Sequence, residues 1–114
     1  MTRPRLKPHI RVAAHRRRCE AGGAFAHIAR KGDPDAGAVA VKVYVGARRA
    51  RLFVQSRDLD GASVWREPLA DADDPCADEP AIDAWLARET DVDPDLWIVE
   101  IDDPKGRPFL DEND

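Results

Sequence analysis

Ala38-Val39-Ala40-Val41-Lys42-Val43-Tyr44-Val45 is the stretch whose reading decides the fold. Val39, Val41, Val43 and Val45 fall on one side of an extended chain, and Ala38, Ala40, Lys42 and Tyr44 on the other. A period of two in β-branched residues marks a strand. The pattern predicts a half-buried strand of an antiparallel sheet with the valines on the core.

After this strand, Gly46 to Ala50 makes a turn into the run Leu52-Phe53-Val54. Pairing Val45 with Leu52 sets Val43 opposite Val54 on the core face. The same register sets Tyr44 opposite Phe53 and Lys42 opposite Gln55 on the other face, so both faces are satisfied at once. Asp60-Gly61 is a two-residue hairpin signal. It places Leu59 opposite Ala62 and Ser56 opposite Trp65, which brings Trp65 onto the core face. Before the valine strand, Phe25–Arg30 alternates as a short strand. Gly32-Asp33-Pro34-Asp35-Ala36-Gly37 combines residues that each favour a turn, and predicts a hairpin loop between the two.

A helix is expected from Ile10 to Ala21, with Val12 and Cys19 inward and Gly22-Gly23 ending it. A second helix begins at Pro80, carries Ile82, Trp85, Leu86 and Glu89 on one face, and ends near Pro94. Leu96 to Ile101 is a final strand, apolar on both faces in its first half and therefore placed inside the sheet beside the first strand. The expected fold is α+β: a five-stranded, mainly antiparallel sheet with two helices in the order α-β-β-β-β-α-β. Its strand order is 4-3-2-1-5, with both helices over the valine face. Residues 1–114 read as a single domain, with a mobile basic arm over 1–9 and a mobile polar tail over 105–114.

Two cysteines, Cys19 and Cys76, are too few for a disulfide scaffold. With no apolar run of signal or membrane-spanning length, a cytoplasmic protein with no membrane partner is expected. The net charge of −4 hides a polarised chain. Residues 1–32 hold nine Lys/Arg against Glu20 alone, whereas residues 58–114 hold four against nineteen Asp/Glu. The simplest outcome is that the two ends pack together and neutralise each other; nucleic-acid contact is the other reading.

The chemistry-bearing residues form no catalytic constellation. Cys19 has His15 one turn earlier, a spacing that could make a thiolate and its base, but no orienting group is evident. His15, Cys19, His27 and Cys76 supply one close ligand pair where a structural zinc site needs two, so no metal is expected. Asp91, Asp93 and Asp95 read as a charged turn, since the glycine of a calcium loop is missing. There is no phosphate-binding loop, so no cofactor is expected. Lys31, Gly32, Asp33 and Asp35 form a loop that serves either as a turn or as a ligand contact. The unusual surface in the register above is the second sheet face: Lys42, Tyr44, Arg51, Phe53, Gln55 and Arg57, with Val64 and Arg66. Paired aromatics among cations fit a partner or self-association face, and also a single-stranded nucleic-acid platform.

Val12-Ala13-Ala14 with Arg17-Arg18-Cys19-Glu20, then Arg30-Lys31-Gly32-Asp33-Pro34-Asp35-Ala36-Gly37, then Asp93-Pro94-Asp95-Leu96-Trp97-Ile98-Val99-Glu100-Ile101, resemble an uncharacterised family of short alphaproteobacterial proteins, a domain of unknown function. The resemblance spans nearly the whole chain and implies no activity, ligand or catalytic residue. The function expected from the residues is a small non-enzymatic protein-interaction module. The alternative is RNA or single-stranded nucleic-acid binding through the basic arm and aromatic face. A Cys/His-dependent enzyme is a distant third.

Overall fold

The computed structural model describes residues 6–57, 59–60 and 63–111, with Arg57 and Ser63 described by backbone alone. Eight elements follow in order: α1 (Pro8–Ala21), β1 (Phe25–Arg30), β2 (Val39–Gly46), β3 (Arg49–Arg57), β4 (Ser63–Arg66), β5 (Ala77–Asp78), α2 (Glu79–Val92) and β6 (Trp97–Asp102). The α+β class with two helices is as expected. The sheet has six strands, the extra one being the two-residue β5 that pairs with β3. The turn residue Gly61 lies outside the described residues.

The strand order is β1-β6-β2-β3-β4. The final strand does lie beside the first, antiparallel to it. It also lies beside β2 and runs parallel to it, so the expected β1–β2 hairpin does not form. Trp97, Ile98 and Val99 are buried on both faces of the sheet, and only an interior position covers both. β6 takes that position by parting β1 from β2. Residues 31–38 therefore cross two strand spacings, about 9.6 Å, over the start of β6.

That crossing is clasped. Asp33 Oδ1 accepts the backbone N–H of Asp35 and Ala36 at 2.8 and 2.9 Å, which closes the loop on itself. The Asp33 carbonyl accepts the Trp97 indole N–H at 2.7 Å, and the Asp33 N–H donates to the Asp95 carbonyl at 3.0 Å. Arg30 donates to the Leu96 carbonyl at 2.6 Å. Gly32 and Gly37 lie so close to β6 that a Cβ on either would overlap the Asp95 carbonyl oxygen.

The β2–β3 hairpin corrects the expected register. Ala40 pairs with Val54, Val41 with Phe53, Lys42 with Leu52 and Tyr44 with Ala50. Two features set it: Ala47 and Arg48 take positive φ, 55° and 60°, in a two-residue type I′-like loop closed by Gly46 and Arg49, and a bulge between Tyr44 and Gly46 adds one more residue of shift. The slip is three residues. An odd slip turns every β3 side chain to the opposite face. Phe53 thus joins the valines, while Leu52 and Val54 line the other side with Ala40 and Ala50.

Both faces are then apolar, and each takes one helix. Val12 and Cys19 of α1 pack on Val39, Val41, Val43, Phe53, Trp97, Val99 and Ile101. Ile82 and Leu86 of α2 pack on Ala40, Leu52, Val54, Leu96 and Ile98. The expectation that both helices cover the valine face is wrong for this reason, and β2 is buried on both sides at its start rather than half-buried. Trp65 does join the valine side, opposite Gln55 rather than Ser56. Gly23 (φ 88°) ends α1, with Ala24 N–H donating back to the Cys19 carbonyl at 2.9 Å.

Two ends of the chain differ from expectation. Pro8 and His9, placed in the arm, begin α1; residues 1–5 lie outside the described residues. Within the expected polar tail, Phe109 and Leu110 lie on the valine-side core and Asp111 pairs with Arg18 of α1 at 3.4 Å.

Gly32→Ala and Gly37→Ala should each cost about 2–3 kcal/mol, because backbone has to move. Gly23→Ala, which has open space but a positive φ, should cost about 1 kcal/mol. Urea unfolding of the three variants checks the order.

Candidate interaction surface

The register decides what becomes of the expected platform. Lys42 and Tyr44 stand on the α2 side of the sheet, Arg51 and Phe53 on the α1 side. The side chain of Arg57 lies outside the described residues. No single face presents the set, and each described member holds the fold together.

Lys42 is 4% exposed. Its Nζ meets Glu79 and Asp83 of α2, both at 2.8 Å, and Glu100 of β6 at 3.6 Å. Burial by itself lowers its pKa, but hydrogen bonds to Asp83 and Glu79 and the charge of Glu100 outweigh it and hold the ammonium above its ordinary 10.5. The pair therefore fastens α2 to the sheet through a charge. Tyr44 Oη accepts the Arg48 N–H at 3.2 Å and so braces the hairpin turn.

Arg51 is the corresponding strut on the other side. It donates to Glu67 at 2.9 Å and to the Gly106 carbonyl at 3.0 Å, and its guanidinium lies 4.7 Å from the centre of the Phe53 ring. Gly106 belongs to a turn built on Asp103, which is 3% exposed. The Arg107 side chain is the main reason the Asp103 carboxyl stays below the usual carboxylate range: it donates at 2.9 and 3.1 Å, against the opposing effect of burial and with help from its own backbone N–H at 2.8 Å. From that turn the chain crosses α1. The Pro108 carbonyl, which can only accept, takes a hydrogen bond from His15 Nε2 at 2.6 Å, and the Phe109 carbonyl takes one from Arg18 at 3.1 Å.

His15 is thus committed to the backbone and, with Cys19, buried beneath the crossing chain. The stripe Pro8, Arg11, Val12, His15, Cys19 is the inward face of α1. Its polar members were missed in the sequence, although their spacing of three and four marks them. Arg11 reaches Gln55 at 3.4 Å. Among the described residues, no three His, Cys, Asp or Glu are grouped to hold a metal ion. Asp93 Oδ1 accepts the Asp95 N–H at 3.1 Å, a charged turn as read. Of the loop Lys31, Gly32, Asp33 and Asp35, the glycine and Asp33 serve the clasp on β6, Asp35 pairs with Lys7 at 3.2 Å on the surface, and Lys31 is exposed. In the acidic run of residues 71–79, Asp74 and Asp78 pair with Arg49 of β3.

Among the described residues, two open surfaces bear on function. The first is the edge of β1. Phe25 and His27 share the α2 side with Asp102 and Glu100, their partners on β6, at the sheet edge away from β3, and both are exposed. Phe25 is 70% exposed, and Ile28 and Ala29 are exposed too. The second is a cleft of about 50 Å³ where the C-terminal half of α2 overhangs the sheet, with Trp85, Glu89 and Asp93 above, Arg66 at one side, and Ala40, Val54 and Leu96 below.

Residues 6–111 match the model of the family described as "Protein of unknown function (DUF1491)". Among solved structures, the chain is similar to a DUF1491 family protein from Caulobacter crescentus CB15 solved at 1.87 Å: 47% identity, covering 94% of this chain and 96% of that one, TM-score 0.82. An NMR structure of a DUF1491 family protein from the same organism matches at 46% identity over 96% of both chains, TM-score 0.82. Protein Atu0922 from A. tumefaciens matches at 30% identity over 88% of this chain and 87% of that one, TM-score 0.73. No curated protein matches. No helix among the described residues is long and apolar enough to cross a membrane.

Lys42→Met tests the buried strut. A raised pKa stabilises the fold below the unfolded value and loses that contribution as pH climbs past the folded value. The wild type should therefore lose stability above pH 10.5 while Lys42→Met does not, which denaturant unfolding across that range will show.

Proposed function

The chain belongs to the DUF1491 family, and we propose that this member is a non-enzymatic interaction module that takes an extended segment of another polypeptide along the free edge of β1. The observation that carries this reading is the exposed edge itself. β1 ends the sheet, and its residues Phe25-Ala26-His27-Ile28-Ala29-Arg30 contain no Pro, Lys or acidic guard. A free edge of this kind is a template for strand addition unless it is blunted. The bulge between Ile28 and Arg30 confines the usable part to the first four residues. Phe25 and His27, 6.4 Å apart between ring centres, give an incoming strand an aromatic contact on one side. Ile28 gives it an aliphatic one on the other.

The reading also rests on how the other candidates are used. Lys42, Tyr44, Arg51 and Phe53 are engaged in holding the fold, and His15 and Cys19 lie under the crossing chain. A role in the cytoplasm fits the two free cysteines.

Capture from native cells on immobilised wild type, Phe25→Asp and Ile28→Pro tests it, with Tyr44→Phe as the control away from the edge. A polypeptide retained by wild type and Tyr44→Phe and lost by both edge variants is expected, with the Phe25–Ile28 amides slowed in hydrogen exchange when it is bound. Capture unaffected by the edge variants contradicts the reading. Nucleic acid that co-purifies and is stripped by salt would move the function to the basic arm.

A further inference from the structure

The C-terminal end of α2 is electrostatically uncompensated. Helix C-termini carry partial negative charge and favour cations nearby. The last turn of α2 has no basic residue, and Glu89, Asp91 and Asp93 add three carboxylates there. The cleft beneath this end has an aromatic wall, Trp85, and an apolar floor of Ala40, Val54 and Leu96. Arg66 borders the same cleft. Among the described residues, neither the Glu89 carboxylate nor the Arg66 guanidinium has a hydrogen-bond or ion-pair partner. Arg66 thus lines the cleft without pairing with either acid, and the charged lining residues Arg66, Glu89 and Asp93 leave it at a net −1.

We propose that this cleft receives the guanidinium of an arginine side chain from a partner polypeptide. Size selects the group. At about 50 Å³ the cleft admits a head group, whereas whole metabolites need pockets of about 300–1,000 Å³. Chemistry selects the charge and shape. A planar cation can lie on the Trp85 face while donating to Glu89, and such charge-assisted bonds are about twice as strong as neutral ones. Asp93, whose Oδ1 is occupied by the Asp95 N–H, supplies field more than a free acceptor. The site lies on the α2 side between the first half of β2 and β4, three strands from the β1 edge, so it stands or falls apart from the strand-addition reading.

The probe is N-acetyl-arginine amide, with N-acetyl-citrulline amide as the neutral isostere, titrated into the full chain labelled with ¹⁵N. The Trp85 indole N–H signal should shift saturably with the arginine compound and not with citrulline. Glu89→Gln, whose carboxylate has no structural partner, should keep the parent spectrum and bind about tenfold more weakly. Arg66→Gln should bind at least as well as wild type, since it removes a like charge. The proposal is overturned by no saturable shift at Trp85, by an equal response to citrulline, or by Glu89→Gln binding like wild type.

Discussion

The structure depends on one crossing: the chain from β1 to β2 has to pass over the start of β6, and it is bound there by the Asp33 carbonyl on the Trp97 indole and by two glycines against the Asp95 carbonyl. β6 is buried on both faces, so it needs a neighbour on each side. Parting two strands that would otherwise form a hairpin supplies both. The cost is a connection that must approach another backbone closely, which only glycine at positions 32 and 37 permits. The motifs of residues 30–37 and 93–101 are two halves of this one contact.

Once β6 is central, the sheet is covered on both sides, and polar residues in its interior have to be paired. Lys42 ties α2 to the sheet; Arg51 and Asp103 tie the C-terminal chain to β3 and α1. Such struts are costly to break, because each would leave a buried polar group behind. They also account for part of the charge polarity of the sequence. Arg18 meets Asp111, as expected for ends that neutralise each other, but the acidic run near Asp74 and Asp78 serves Arg49 of β3 instead.

Much of this was legible. The period of two in residues 38–45, the alternation in residues 25–30, the Gly22-Gly23 stop, the Asp60-Gly61 turn signal, the Ile82/Leu86 face and the two-sided apolarity of residues 96–99 located both helices and five of the six strands. What was not legible was geometry beyond neighbouring residues. The turn at Ala47-Arg48 carries neither Asn nor Gly, the residues that mark a type I′ turn, and nothing between Tyr44 and Gly46 marks a bulge; the turn supplies two residues of the slip and the bulge the third. That odd slip alone assembled an aromatic-cationic face from residues that stand on opposite sides of the sheet. The loop of residues 32–37 was recognisable as a turn, but a turn signal does not say whether another strand will be inserted beneath it.

Native-state hydrogen exchange of the Trp97 indole N–H, together with the β1 and β6 amides, tests this account most directly. If the clasp at Asp33 is what holds the sheet in this order, the indole and the β6 amides should exchange only through global unfolding, with one shared dependence on denaturant. Gly32→Ala should then lower all of them together. Exchange of the indole through a local opening that leaves β6 protected would contradict it.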